Sequence, residues 1–140
     1  MPTKENKALM RRFYEEISKG NLAVVDELVA ADLIEHSPFV PGQAPGRQGT
    51  LDLFTMIRAA FPDLRVTVED MVAEGDKVVA RGTFSGTHKG EFMGIAPTGK
   101  QMTVGLIEIL RIAGGKMVEH WNVVDSLGMM QQLGVVPPPE

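Results

Sequence analysis

The chain has 140 residues, 44% hydrophobic and 23% charged, the size and balance of one soluble domain that buries its own core. Its net charge of −4 comes without a lysine or arginine run, which excludes the basic patch that nucleic acid or an acidic membrane surface needs. The absence of cysteine removes disulfides, thiolate nucleophiles and thiolate-bound zinc and suits a cytoplasmic setting.

In chain order, Thr3 caps a predicted helix to about Lys19, with Leu9, Phe13 and Ile17 at four-residue spacing beside Met10 and Tyr14. Gly20-Asn21 stops it, and a short helix follows over about 22–30, leading into Leu33-Ile34-Glu35-His36. From Ser37 to Gly49 prolines and glycines alternate closely, a loop long enough to form a lid or rim. A third helix is predicted from Thr50 to Ala60, with Leu51, Phe54, Ile57 and Phe61 at helical spacing and Pro62 as its stop. Beyond Pro62 the period changes to two: Leu64, Val66 and Val68 alternate with Arg65, Thr67 and Glu69, and Gly75-Asp76 turns the chain into a strand over 77–86. The stretch GTHKGEFMGIAPTGK reads as a structured loop, and the strands 102–112 and 116–125 join through Gly114-Gly115. The end, 135–140, reads as a frayed tail. Helices followed by an antiparallel sheet make an α+β domain without repeat or linker.

A two-residue turn at Gly114-Gly115 would pair Leu110 with Glu119, Glu108 with Trp121, Leu106 with Val123 and Val104 with Asp125. Glu108, Trp121 and Asp125 then share a face with Leu106, Leu110 and Val123, while His120, Asn122 and Arg111 lie on the other, beside Ile107 and Ile109. Both faces are apolar, and three short helices cover only one, so the outer face is predicted to be a homodimer interface. Carboxylates among apolar neighbours on the covered face imply a cavity open to water, since a buried unpaired charge costs several kcal/mol. His36, at the end of an apolar strand, and Tyr14 are candidates to join that cavity. Glu119, near the hairpin tip, reads as solvated, and His88 and His120 as surface or interface residues. The three histidines stand too far apart in sequence to suggest a metal site.

The stretches ENKALMRRFYEEI, DLIEHSP, AAFPDLRVTVEDMVAEGDKVVARGTFSGTHKGEFMGIAPTGK and LRIAGGKMVEHWNVVD resemble the SnoaL-like polyketide cyclases, within the nuclear-transport-factor-2-like fold. The resemblance covers nearly the whole chain. It implies a cone, a strongly curved, mixed but mostly antiparallel sheet wrapped around N-terminal helices, with an apolar cavity inside and a dimer formed through the sheet. It further implies cofactor-independent aldol closure of a polyketide ester, a small hydrophobic molecule held in the cavity. In that reading Asp125 is the general acid/base, His36 polarises or protonates the carbonyl oxygen, and Tyr14, Phe54, Met93, Glu108 and Trp121 shape the pocket. Gly82, where many relatives carry an aromatic residue, would enlarge it. Isomerisation, epoxide-hydrolase-like water addition and ligand binding without turnover remain as alternatives, because one fold hosts many chemistries.

Overall fold

A computed structural model describes residues 2–137. The elements are α1 (Pro2–Lys19), α2 (Ala23–Leu28), β1 (Val29–Glu35), α3 (Gly46–Ala60), β2 (Arg65–Glu74), β3 (Lys77–Thr87), β4 (Gln101–Ala113), β5 (Lys116–Val124) and α4 (Ser126–Gln132). One five-stranded sheet has the order β1-β5-β4-β3-β2. β1 runs parallel to β5, and the other neighbours are antiparallel. This is the α+β curved mixed sheet with N-terminal helices that the sequence predicts.

Met10, Phe13, Tyr14 and Ile17 recur at three- and four-residue steps, so α1 carries one apolar stripe, and it is buried on the concave face of the sheet. The C-terminal part of α3 presents Ile57 and Ala60 to the same core, where Phe61 meets Phe84 and Phe92 edge-on at 6.0 and 5.2 Å. Gly86 permits this aromatic packing: a Cβ there would lie 2.9 Å from Phe61 Cβ. α3 begins at Gly46, four residues before the predicted start, so the proline- and glycine-rich loop is shorter than the sequence suggests.

The β4–β5 hairpin turns at Gly114 and Gly115, both at positive φ (58° and 74°), the backbone a two-residue turn of matching twist requires. Ala113 faces Lys116 and Ile112 faces Met117 as predicted, but a bulge follows. Val118 is the extra residue, so Arg111 faces Glu119, Leu110 faces His120, Glu108 faces Asn122 and Ile107 faces Val123. Because side chains alternate faces with a period of two, this one-residue slip exchanges the two faces of β5 beyond Met117. His120, Asn122 and Val124 turn inward; Glu119, Trp121 and Val123 turn outward. The predicted register placed these residues on the opposite faces.

A helix the sequence reading missed, α4, ends the fold and lays buried Met129 against the core. Beyond it the Val135 amide donates to the Met130 carbonyl at 3.0 Å and Val136 does so at 3.3 Å, which ties back the start of the stretch predicted to fray. Residues 138–140 of that tail lie outside the described residues. Among the described residues no helix is long and apolar enough to cross a membrane.

Candidate functional site

The cavity lies between the concave face of the sheet and the helices. Its apolar wall comes from Phe13, Leu33, Phe39, Phe54, Leu106 and Met129 among others, and its polar groups are Tyr14, Glu35, Thr50, Glu108, His120 and Asn122. Among the described residues neither lysine nor arginine lines it.

Alternation explains how the polar groups converge. Glu108 stands between Leu106 and Leu110 on β4 with all three side chains inward, and Glu108 is 5% exposed. The β5 bulge brings His120 and Asn122 to the same face. On β1, Leu33 and Glu35 turn inward while Ile34 and His36 turn outward, the phase being set by parallel pairing of Glu35 with His120.

Two carboxylates bracket the imidazole of His120. Nδ1 lies 2.7 and 2.8 Å from the two oxygens of Glu35, and Nε2 is hydrogen-bonded to Glu108 Oε2. The Asn122 amide donates to the other Glu108 oxygen at 3.3 Å. Burial works against a charged ring, but hydrogen bonds to Glu108 and Glu35 and the charges of both outweigh it, and His120 is raised to about 10. It is therefore an imidazolium at neutral pH, donating from both nitrogens. The cluster as a whole carries one negative charge. Burial first, then the charge and hydrogen bonding of Glu108, hold the Tyr14 hydroxyl well above its ordinary value, so it remains a phenol.

The sequence-predicted residues divide. Tyr14, Phe54 and Glu108 line the cavity. Asp125 is not among the lining residues: it is exposed and caps α4, accepting from the Gly128 amide at 2.8 Å. The fit is close, since a Cβ on Gly128 would lie 2.2 Å from Asp125 Oδ2. His36 lies on the convex face, where Nε2 pairs with Glu119 at 2.7 Å and the ring stacks on Trp121 at 4.5 Å with 5° between planes. Trp121 thus turns away from the cavity, with the Lys77 ammonium 5.5 Å from its ring centroid. Glu119, read as solvated, instead joins His36 to Arg111, and their hydrogen bonds hold its carboxyl below the usual range, His36 contributing most. Met93 sits at the exposed tip of the Phe92–Ile95 bridge at a φ of 51°. The expected meeting of Asp125, His36 and Trp121 in one pocket is corrected by the bulge and by the phase of β1.

Gly82 does not enlarge the cavity. A Cβ there would approach the Thr67 carbonyl oxygen at 2.8 Å and Leu106 Cδ1 at 3.3 Å, so β2 already occupies the space.

Sequence reasoning missed Glu35, Thr50, His120 and Asn122 as lining residues. One signal pointed to His120: a glutamate flanked by leucines on a buried strand face calls for a cation, and the facing strand offers that histidine.

His88, read as a surface residue, is fully buried beside Phe61 and Phe92, with Nδ1 accepting from the Thr98 amide at 3.3 Å. It fastens the 88–100 loop and takes no part in the cavity. Among the described residues no group of three or more His, Cys, Asp or Glu side chains is arranged to hold a metal ion.

Comparison with known proteins agrees with this architecture. The family model for SnoaL-like polyketide cyclases matches residues 8–133. Nogalonic acid methyl ester cyclase of Streptomyces nogalater is 28% identical over 116 residues, 82% of this chain and 87% of its own. Aklanonic acid methyl ester cyclase DnrD of Streptomyces peucetius is 29% identical over 133 residues, 90% of this chain and 88% of its own. The structure of TsrD from Streptomyces laurentii superposes with a TM-score of 0.86 at 32% identity, covering 95% of this chain and 97% of that one.

Proposed function

This chain belongs to the SnoaL-like polyketide cyclase family, and on that premise we propose that it closes a ring in a neutral polyketide ester by a cofactor-independent intramolecular aldol reaction. The observation that carries the reading is the charge pattern of the cavity. The lining holds two carboxylates and one imidazolium that both of them already bond, within apolar walls that contain no lysine or arginine. Nothing there is free to compensate a substrate carboxylate, so a masked acid fits and a free one is repelled. The relatives named above as methyl ester cyclases support that choice.

Glu108 is the base. With His120 at about 10, only roughly one ring in a thousand is neutral at pH 7, so the imidazole is not the group that takes a proton there. A Glu108 oxygen takes the proton alpha to a carbonyl, and the resulting enolate carbon bonds to the electrophilic carbonyl carbon as that C=O π bond breaks. The proton returns from Glu108 to the new alkoxide oxygen, leaving an isomer of the substrate. The Tyr14 hydroxyl and the Asn122 amide are the neutral donors placed to hold the enolate and alkoxide oxygens. The experiment is incubation with aklanonic acid methyl ester and with nogalonic acid methyl ester. A product of unchanged mass with one more ring supports the proposal; binding of the esters without conversion makes the protein a carrier instead.

Asp125 has no part in this chemistry. Asp125→Ala is expected to lower stability by about 1 kcal/mol through the lost cap of α4, with kcat within a few-fold of the parent chain. A drop of a hundredfold in kcat at unchanged stability contradicts this.

The homodimer belongs to the same proposal. Ile34, Val72, Ile107 and Val123 are exposed, Val123 by 74%, and they stand on the strands of the sheet that the helices cover only from the concave side. Sedimentation equilibrium at micromolar protein tests it. Twice the chain mass, returning to the chain mass in Val123→Glu, is expected; a monomer throughout overturns it.

A further inference from the structure

We infer that Glu35 is a positioning residue of this cavity: bonded to His120 from the side opposite Glu108, its carboxylate cancels the imidazolium charge so that Glu108 can take up a proton without stranding a bare cation among apolar walls. The inference rests on the acid/base reading of Glu108 given above.

The geometry fixes Glu35 in that role. Its two oxygens lie 2.8 and 2.7 Å from His120 Nδ1, and the Ser37 amide donates to Oε2 at 3.1 Å. Ser37 Oγ in turn accepts from the Asn122 backbone N–H at 3.1 Å, so β1 and β5 hold the carboxylate between them. The side chain is 12% exposed, between the 15% of His120 and the 6% of Glu108, so solvent does little to replace its charge. The other ionisable group facing the cluster is the neutral Tyr14 phenol of α1; α3 contributes Thr50, and among the described residues no lysine or arginine lines the cavity. His36, Glu119 and Arg111 form their own ion pairs on the opposite sheet face.

Counting charge shows what Glu35 adds. Two carboxylates and one imidazolium sum to −1, and proton uptake by Glu108 brings the cluster to zero. Without the Glu35 charge the same step would run from zero to +1 in an apolar cavity, where an unpaired ion is strongly disfavoured. The high value of His120 draws on hydrogen bonds and charge from Glu108 and Glu35 together, in keeping with the geometry.

Glu35→Gln keeps a carbonyl oxygen to accept from Nδ1 and from the Ser37 amide while removing the charge. Nuclear magnetic resonance of the ring nitrogens in the ligand-free variant is expected to show His120 losing its second proton at a lower pH than in the parent chain. With aklanonic acid methyl ester, kcat at pH 7 is expected to fall about 10²-fold and the acid limb of its pH profile to move to lower pH. Glu35→Asp, which keeps the charge but withdraws it by one methylene, is expected to restore both readouts in part, and a small shift of His120 in that variant decides the matter where the glutamine variant does not fold. An unchanged His120 titration in either folded variant overturns the role of Glu35 whether or not the ester is turned over. Failure of the parent chain to convert any ester counts against the cyclase reading alone.

Discussion

Replacing Glu108 by glutamine is expected to lower kcat by about 10²- to 10⁴-fold, the range one well-placed proton-transferring group supplies. Glutamine has nearly the same shape, and its carbonyl oxygen still accepts from His120 Nε2. Its second position bears an amide that cannot receive a proton from carbon. Because Glu108 stands at the middle of β4 between buried Leu106 and Leu110, the backbone around it is set by pairing with Asn122 on β5 and Ala80 on β3. The variant should therefore fold, with an unchanged circular dichroism spectrum and ester affinity within a few-fold. Single-turnover measurements with a converting ester separate the chemical step from binding. A kcat within threefold of the parent chain would move the base elsewhere in the cavity, with Glu35 as the next carboxylate.

The largest effect on stability is expected from His120→Leu. Leucine fits the apolar surroundings, but it leaves Glu35 and Glu108 buried together without the cation that both of them bond. Removing one partner from a buried ionic cluster costs about 3–5 kcal/mol, since the remaining charges must stay unpaired or take up protons. The pH dependence identifies the cause. In the parent chain the folded value of His120 is raised above the unfolded one, so its contribution is complete below about 6.5 and is lost as pH rises through about 10. In His120→Leu the two carboxylates bind protons more readily in the folded state, and the variant regains stability as pH falls. The difference between the two proteins should thus be widest near pH 6.5, where the His120 contribution is still complete, and narrow toward pH 5 and toward pH 10. Urea denaturation at these three pH values measures it. A deficit independent of pH would mean that lost packing, and not charge, sets the cost.

The same two residues show where reading the sequence succeeds and where it stops. A glutamate between two leucines on an alternating strand announces a carboxylate facing the core, and Glu108 is found there. The cation that permits it is only 12 residues away in sequence, yet its inward direction depends on one extra residue after the hairpin. Direct continuation of the turn register sends Trp121 and Asp125 inward, and every reading built on that register inherits the exchange. The bulge has a physical reason that is visible once the strands are paired. The uninterrupted register would have buried Glu119 and Trp121 beside Glu108 with no cation. The bulged one gives Glu108 the imidazole of His120 and the amide of Asn122, and puts Glu119 between His36 and Arg111 outside.

His36 was misplaced for a related reason. Its neighbour Glu35 differs by one step along β1, and one step in a strand is the difference between cavity and outer surface. Nothing local chooses between them; the parallel pairing of β1 with β5 does, through contacts about 85 residues apart in sequence. Asp125 was misplaced because Val124 ends β5, and the following Ser-Leu-Gly is better served by an aspartate cap than by a further strand residue.

By itself the sequence determined the local states, since each is written in short-range chemistry: the apolar stripe of α1, the two-residue alternation of the strands, and the glycine pair whose positive φ makes the hairpin turn. It also determined that a carboxylate would face an apolar interior. Only the tertiary structure decided which partners meet that carboxylate, because strand phase is a property of pairing between distant segments. A single bulge residue, retained where it lets a buried charge find its counter-ion, turns half of β5 over.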